Sequence, residues 1–174
     1  MGKRSNFIRL KGDFYRTPKK AVDVLCSHIE RNFTYHEPCA GDGALIEALN
    51  LYQIPCVYKN DIEPKHKEIK KQDAFDLDKC AGDCFVTNPP WTRDLLHPLI
   101  IHLSNLAPTW LLFDADWMHT KQAEEYLSRC EKIISVGRLK WIADSDHAGK
   151  DNCAWYLFGN QPADGTVFIG RHNG

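Results

Sequence analysis

The feature that most constrains the fold of this chain is a regular alternation of short apolar segments with amphipathic ones. The apolar segments predict strands at 33–37, 56–59, 84–87, 110–113, 133–142 and 153–158, and helical spacing predicts helices at 44–51, 95–106 and 121–129. Strands that alternate with helices form parallel βαβ units, so the pattern predicts a layered α/β domain. No helix separates the last two strands, and we expect them to pair as an antiparallel hairpin.

A first helix is predicted before this series. Thr17 can cap a helix, and Pro18 suits the first helical position, where no backbone N–H is needed. Apolar residues then recur at helical spacing, at Val22, Leu25, Cys26 and Ile29. In the helix at 95–106, Pro98 requires either a start close to it or a kink.

Length and composition indicate a single globular domain over residues 1–174. A domain of this size buries roughly 70% of the surface that its unfolded chain exposes, so we expect one self-sufficient core. No apolar run is long enough to span a bilayer and no apolar segment follows the basic N-terminus, so we expect a cytoplasmic protein without a membrane partner.

The seven cysteines are odd in number and irregularly spaced, which favours reduced thiols. No convergent ligand set predicts a metal site.

Positive charge is unevenly distributed, although the net charge is only −1. Basic side chains crowd the first twenty residues, at Lys3, Arg4, Arg9, Lys11, Arg16, Lys19 and Lys20, against the single acid Asp13. Further basic residues stand at Lys65, Lys67, Lys70 and Lys71, and at Arg138, Lys140 and Lys150 near Trp141. Such runs form either a solvated face or a phosphate-binding surface. The candidate nucleic-acid contacts are Lys3, Arg4, Arg9, Lys11, Arg138, Lys140 and Lys150.

A loop with two glycines joins the first strand of the alternating series to the next helix. Its residues are Glu37, Pro38, Cys39, Ala40, Gly41, Asp42 and Gly43. Open α/β sheets bind ligands at the carboxyl ends of their strands, and the glycines would let the backbone approach a ligand closely. The nicotinamide fingerprint GxGxxG is not met, because Ile46 stands at the third glycine position. By itself the loop indicates either a ligand site or an ordinary strand-to-helix turn.

Two acids follow at positions suited to a nucleoside. Asp61, with Ile62 after it, lies at the predicted end of the second strand, where an acid can bind ribose hydroxyls. Asp73 precedes Ala74 and Phe75. There a carboxylate or backbone group could meet an adenine amino group, and Phe75 could cover the ring. The alternative for Asp73 is a helix cap on the surface.

The segment Asn88-Pro89-Pro90-Trp91 ends the apolar strand at 84–87, which should be the fourth of the sheet. An exocyclic amine on an aromatic ring is a poor nucleophile, because its lone pair is delocalised into the ring. The Asn88 carboxamide oxygen and the Pro89 carbonyl can accept its two hydrogens, which localises the lone pair and stabilises the developing positive charge. The prolines fix that carbonyl, and the Trp91 indole offers a face on which a base can stack. The alternative is a strand-terminating turn with a core tryptophan.

Together these segments resemble the amino-methyltransferases of the Rossmann-like class I superfamily, especially the adenine-N6 DNA methyltransferases. The resemblance covers nearly the whole chain. Residues Asp13, Phe14, Tyr15, Arg16, Thr17 and Pro18 are similar to the family's N-terminal cofactor motif, and 37–43 to its first motif. Asp61 is similar to its ribose acid, Asp73 to its adenine-side acid, and 88–91 to its catalytic tetrad. The motif order resembles the gamma arrangement.

The resemblance implies a three-layer α/β sandwich around a seven-stranded, mostly parallel sheet with a C-terminal antiparallel hairpin. It implies S-adenosyl-L-methionine as cofactor, methionine-end contacts from Tyr15, Thr17 and Gly41, and base contacts from Asn88, Pro89 and Trp91. The implied cofactor-binding residues are Tyr15, Thr17, Pro18, Glu37, Pro38, Ala40, Gly41, Asp42, Gly43, Asp61, Ile62, Asp73, Ala74, Phe75 and Asn88. The implied catalytic residues are Asn88, Pro89, Pro90 and Trp91.

The chain departs from this family in being short. Few residues separate Asp73 from Asn88 and little chain follows the last predicted strand, so we expect no separate target-recognition domain. Loops, a homodimer partner or an accessory protein would then supply specificity. This compactness resembles solitary methylases of bacteria and bacteriophages. We expect DNA to be favoured over RNA as acceptor. The alternatives are methylation of a glutamine side-chain amide on a protein, and a non-catalytic cofactor-binding module.

Overall fold

The fold is built on one mixed β-sheet with helices on both faces. The computed structural model describes residues 15–141 and 149–171. The sheet in this part of the chain has eight strands in the order β3-β2-β1-β4-β5-β7-β6-β8. The strands are β1 (Tyr35–Glu37), β2 (Cys56–Asp61), β3 (Lys70–Lys71), β4 (Cys84–Thr87), β5 (Thr109–Asp114), β6 (Cys130–Arg138), β7 (Asn152–Phe158) and β8 (Val167–Ile169). The helices are α1 (Lys19–Cys26), α2 (Ala44–Asn50), α3 (Arg93–Leu106) and α4 (Glu124–Leu127).

Most neighbouring strands run parallel. The two pairs that involve β7, with β5 and with β6, are antiparallel, and the other five pairs are parallel. The predicted α/β class, the mostly parallel sheet and the antiparallel pairing of β6 with β7 are therefore confirmed. The predicted total of seven strands is wrong by one. β3 is only two exposed lysines and β8 only three residues, so neither carries the alternating apolar pattern that identifies a strand.

The sheet is the middle of three layers, because alternate side chains of its strands enter two separate cores. On one face, Val86, Leu112 and Trp155 pack with apolar residues of α1 and α2. On the other face, Phe85, Leu111 and Tyr156 pack with apolar residues of α3. A buried hydrogen bond fixes α1 to the first core, since the Trp155 indole donates to the Ala21 carbonyl at 2.8 Å.

Several predicted boundaries shift. Thr17 does not cap α1: Pro18 occupies the N-cap position, the helix begins at Lys19, and it ends before Ile29. The predicted helix 121–129 is a 3-10 turn at Lys121–Ala123 followed by the four-residue α4. β6 ends at Arg138 rather than at 142, and β1 begins only at Tyr35. Pro98 lies inside α3, which begins at Arg93. No helix of the described residues is long and apolar enough to cross a membrane.

The topology brings the ends of five strands to one edge of the sheet. β1, β2, β4 and β5 are linked by parallel pairing, and β6 has the same direction as β5, since both are antiparallel to β7. The carboxyl ends of these five strands therefore lie at one edge, together with those of β3 and β8, which are parallel to β2 and β6. The residues that end or follow β1, β2 and β4 are Glu37, Asp61 and Asn88, so three segments that are distant in sequence converge there.

Candidate active site

A cavity of about 270 Å³ lies at this edge, close to the lower end of the range for small-molecule sites. It is formed where β1, β2 and β4 end, together with the segment before α1 and the turn that follows β3. The lining residues are Tyr15, Arg16, Thr17, Glu37, Pro38, Cys39, Ala40, Gly41, Asp42, Ala44, Leu45, Asp61, Ile62, Asp73, Ala74, Phe75, Asn88, Pro90, Leu95 and Leu99.

The structure brings most of the predicted site residues together at this cavity. All the predicted cofactor-binding residues line it except Pro18 and Gly43, which cap the helices α1 and α2 beside it. Of the predicted catalytic residues, Asn88 and Pro90 line the cavity, whereas Pro89 and Trp91 are not part of its lining. The apolar lining residues Ala44, Leu45, Leu95 and Leu99 were not predicted from the sequence. Ala44, Leu45 and Leu99 are buried, whereas Leu95 is 46% exposed; helical spacing alone does not distinguish a cavity wall from a packed core.

The glycine loop adopts a backbone conformation that other residues rarely take. Gly41 has φ 54° and Gly43 has φ 88°, both in the left-handed region. A β-carbon added at Gly43 would come no closer than 3.9 Å to Ile69, so the backbone angle rather than space calls for glycine at that position. The turn is closed by the Gly43 amide, which donates to the Ala40 carbonyl at 2.7 Å. The backbone of residues 38–42 is thereby held along the cavity wall.

Asp61 holds this loop from the neighbouring strand. Its Oδ2 accepts the backbone N–H of Gly41 at 2.8 Å, and its Oδ1 accepts that of Glu63 at 2.7 Å. Each carboxylate oxygen therefore keeps one further acceptor position for a ligand hydroxyl. A second link fixes the same loop, because the Lys65 amide donates to the Gly41 carbonyl at 2.8 Å. Asp61 is thus both a wall of the cavity and an anchor for its glycine loop.

A buried asparagine, which the sequence analysis missed, ties together the segments around Asp61. Asn60 is fully buried, and its side-chain amide donates to the Pro38 carbonyl at 3.3 Å and to the Gln72 carbonyl at 3.1 Å. Its Oδ1 lies 2.7 Å from His36 Nε2, which fixes the tautomer with the proton on Nε2. Burial lowers the pKa of His36, and the hydrogen bond to Asn60 opposes this shift. The sequence offers one signal, a polar residue at an inward position of a strand.

Glu37 is a buried acid without a partner. It is 1% exposed, and neither carboxylate oxygen has a hydrogen-bond partner among the described residues. Burial raises the pKa of this carboxyl well above its usual range, and the negative charge of Asp61 adds to the rise. The nearby Thr87 hydroxyl opposes it but lies outside hydrogen-bonding geometry. An unpaired buried carboxylate is costly, so its position in the cavity wall suits a ligand that brings a cation or strong donors.

Asp73 both caps a turn and lines the cavity. It precedes a 3-10 turn at Ala74–Asp76, and its Oδ1 accepts the backbone N–H of Phe75 at 3.0 Å. The helix-cap alternative is therefore correct for one oxygen of this side chain, while the residue also stands in the cavity wall. Phe75 beside it is 39% exposed, which leaves an aromatic surface open at the cavity. Its ring lies 5.7 Å from that of His102.

The carboxamide of Asn88 has a fixed orientation. Its Nδ2 donates to the Tyr15 carbonyl at 3.1 Å and to Thr17 Oγ1 at 3.2 Å. Its Oδ1 accepts from Trp91 Nε1 at 3.3 Å. This network assigns the nitrogen and oxygen of the amide and leaves the oxygen one further acceptor position. Asn88 lines the cavity, and Thr17, predicted as a helix cap, serves here as an acceptor.

Trp91 belongs to an aromatic group next to Asn88. Its indole N–H is shared between Asn88 Oδ1 and the Leu112 carbonyl, the latter at 3.1 Å. Its ring meets Trp141 edge-on with 5.4 Å between centroids, and Trp141 meets Tyr15 edge-on at 6.1 Å. These three residues, Tyr15, Trp91 and Trp141, are called the aromatic group below. Stacking of a base on Trp91 stays a prediction.

The predicted nucleic-acid contacts fall into two sets. Lys3, Arg4, Arg9 and Lys11 lie outside the described residues, as do Asp13 and Phe14 of the N-terminal motif. Arg138, Lys140 and Lys150 are exposed, and Arg138 ends β6 at the sheet edge that carries Asn88. Across residues 15–141 and 149–171, no group of three His, Cys, Asp or Glu side chains is placed to hold a metal ion.

No protein-family model and no curated protein sequence matches this chain. Solved structures do match it. A chain from a type I R-M system has a TM-score of 0.62 at 12% identity, covering 96% of this chain and 46% of its own length. A Listeria monocytogenes protein, named as a candidate class I S-adenosylmethionine-dependent methyltransferase, has a TM-score of 0.58 at 12% identity, covering 95% and 68%. A dimethyladenosine transferase from Plasmodium falciparum has a TM-score of 0.51 at 14% identity, covering 83% and 62%.

At these identities the likeness concerns the fold. It confirms the predicted Rossmann-like α/β class, including the antiparallel strands at the C-terminal side of the sheet. The chain spans about half the length of the type I chain that it matches.

Proposed function

We propose that this protein is an S-adenosyl-L-methionine-dependent methyltransferase that methylates an exocyclic amino nitrogen, with adenine N6 in DNA as the acceptor. One observation carries the proposal. The Asn88 carboxamide, at the end of β4, lines the same cavity as the three acids Glu37, Asp61 and Asp73. The residues proposed to bind the cofactor and the residue proposed to bind the amine thus line one cavity. Two structural neighbours, a candidate S-adenosylmethionine-dependent methyltransferase and a dimethyladenosine transferase, support this choice.

The lining fits the proposed cofactor at each of its parts. The unpartnered carboxyl of Glu37 suits the cationic methionine end, where an ammonium group would supply the missing donors. Asp61 keeps one free acceptor position on each oxygen, which suits two ribose hydroxyls. Asp73 and the exposed face of Phe75 suit an adenine amino group and ring. When bound, S-adenosyl-L-methionine supplies a methyl group activated by its sulfonium.

The residues of the chain then act on the acceptor amine. Asn88 Oδ1 accepts one hydrogen of the amine, while the Tyr15 carbonyl and Thr17 hydroxyl hold the carboxamide in place. The Pro89 carbonyl is the proposed acceptor of the second hydrogen, although Pro89 itself is not among the residues that line the cavity. Acceptors fixed in this way localise the nitrogen lone pair and stabilise positive charge as the N–CH₃ bond forms. The proton can leave after methyl transfer, so attack requires no general base.

The choice of adenine in DNA rests on the surroundings of Asn88. An aromatic group with exposed basic residues beside it suits a flipped base and its flanking phosphates. Loops, a second copy of the chain or an accessory protein would supply sequence preference.

The test uses labelled S-adenosyl-L-methionine with separate DNA, RNA and protein fractions, followed by nucleoside mass spectrometry. We expect label in DNA as N6-methyladenine. Asn88→Ala should lower the transfer rate by about 10²–10³, while Asn50→Ala, on the exposed end of α2, should leave it unchanged. Label found only in RNA or in protein glutamine would show that the acceptor is not DNA. Full activity of Asn88→Ala would refute the role of Asn88.

A further inference from the structure

A group of exposed basic residues lies at the same sheet edge as the cavity, where β6 and β8 end. Arg138 ends β6, and Lys140 and Lys150 lie on the two sides of the connection from β6 to β7. Arg171 follows β8, which runs parallel to β6 with Ile169 opposite Ile134, so it lies at the same edge as Arg138. Arg138, Lys140, Lys150 and Arg171, called the basic edge below, are all exposed. Within the described residues, none of them is in an ion pair.

Arg171, which the sequence analysis did not single out, lies against a bulge in β6. The pairing of β6 with β7 shifts register between Ser135 and Gly137, and Gly137 has φ 80°. A β-carbon at Gly137 would lie 3.0 Å from Arg171 Nη1 and 3.3 Å from its Cδ. The arginine side chain therefore packs on bare backbone that only glycine leaves open.

We infer that Arg171, packed on the Gly137 bulge, binds a backbone phosphate of the DNA whose base enters the cavity. This inference rests on the proposed function and identifies the surface along which the DNA runs. An arginine already packed on backbone loses less side-chain freedom when it binds, and its planar fork of donors matches a phosphate. Arg138, Lys140 and Lys150 extend the same positive surface.

The other half of the sheet edge is less suited to the DNA. Asp61, Ile62 and Asp73, on the β1-to-β3 side, line the proposed cofactor cavity. Three of the lysines there are also engaged: Lys59 and Lys65 are within 4 Å of Glu68 and Glu63, and Lys70 lies over the Tyr58 ring. The β5-to-β8 side carries the basic edge instead. Four strand spacings of about 4.8 Å separate β4 from β8, roughly 19 Å, which a duplex covers in five or six base pairs.

The test compares Arg171→Gln, which keeps a packing side chain and removes the charge, with the double variant Lys70→Gln/Lys71→Gln on β3. Binding of a fluorescein-labelled mixed-sequence DNA duplex is measured by anisotropy over a series of salt concentrations. We expect Arg171→Gln to weaken binding several-fold and to reduce the salt slope by about one, because one phosphate contact is lost. In Arg171→Gln the KM for the duplex should rise, while kcat and the cofactor affinity measured by calorimetry should stay unchanged. Arg171→Lys should recover part of the slope.

The outcomes separate this inference from the proposed function. An unchanged salt slope in Arg171→Gln, or the same loss in the β3 double variant, would overturn the inference even if the protein methylates DNA. Conversely, a lost phosphate contact in a protein that transfers no methyl group would support the DNA surface and overturn the proposed chemistry. Failure of the parent protein to bind the duplex at all would overturn both.

Discussion

The backbone amide of Gly41 donates to Asp61 Oδ2 at 2.8 Å, so the acid at the end of β2 fixes the glycine loop at the end of β1. Its other oxygen accepts from Glu63. The residue that we propose to hold the ribose therefore also shapes the wall against which the ribose would lie. Loss of the carboxylate affects the ligand contact and the loop together.

Asp61→Asn tests this double role. An amide group in place of one carboxylate oxygen presents hydrogens to a backbone N–H, so either Gly41 or Glu63 loses its acceptor. We expect cofactor affinity to fall about 10- to 100-fold, as for the loss of a hydrogen bond to a charged group, and the melting temperature to fall by a few degrees. Calorimetry and thermal unfolding measure both. Glu63→Gln removes a charge two residues away and should change neither the cofactor affinity nor the melting temperature. Equal effects in the two variants would contradict the proposal that Asp61 anchors the glycine loop.

The buried acid Glu37 predicts a pH-dependent stability. Burial raises its pKa, so the folded state binds the proton more tightly than the unfolded state does. This contribution to stability is complete below the usual glutamate pKa of about 4.3 and is lost as the pH rises through the raised value. Glu37→Gln should therefore raise the melting temperature of the ligand-free protein at alkaline pH by a few degrees. The gain should shrink towards acidic pH.

Cofactor binding should respond to Glu37→Gln in the opposite direction. The variant lacks the anion proposed to pair with the methionine end, so we expect affinity to fall about 10- to 100-fold. Glu47→Gln, at an exposed position paired with Arg16, is the matched control. If Glu37→Gln shows the same melting difference at every pH, the buried carboxyl is not titrating in the folded protein.

Asn60 should be needed for both stability and cofactor affinity. Replacement by alanine leaves His36 and the carbonyls of Pro38 and Gln72 without their buried partner, at a cost of about 2–4 kcal/mol in the free energy of unfolding. Urea titration measures this cost, and the exposed Asn50→Ala should stay within about 0.5 kcal/mol. Because Asn60 joins three segments of the cavity wall, affinity should fall as well. Unchanged affinity under conditions where the variant is folded would show that Asn60 has only a structural role.

Trp91 offers a test of base stacking that leaves the cofactor site alone. Trp91→Phe removes the indole N–H from Asn88 and Leu112, which should lower the free energy of unfolding by about 1 kcal/mol. Cofactor affinity should hold, since Trp91 does not line the cavity. If a base stacks there, Trp91→Phe should keep most of the acceptor affinity, and Trp91→Ala should lose about 1–3 kcal/mol of it. Equal KM for DNA in both variants would show that the base stacks elsewhere.

The sequence alone determined the layered α/β class, the position of β4 and most of the cavity wall. These features depend on local signals: apolar runs that end in glycine, proline or acidic residues specify where strands stop, and the carboxyl ends of parallel strands then converge without further information. Thr17 shows where local signals mislead. As a capping residue it predicted a helix start, but tertiary contact with Asn88 assigns its hydroxyl another partner.

Only the tertiary structure decided which side chains meet across the sheet. The two short strands β3 and β8 exist because neighbours supply their hydrogen bonds, which no pattern within two or three residues can specify. In the same way, His36 contacts Asn60, 24 residues away in sequence, and Arg171 contacts Gly137, 34 residues away. Hydrophobic pattern and secondary-structure propensity report only on residues that are close in sequence. Contacts between residues far apart in sequence are fixed by strand order and register.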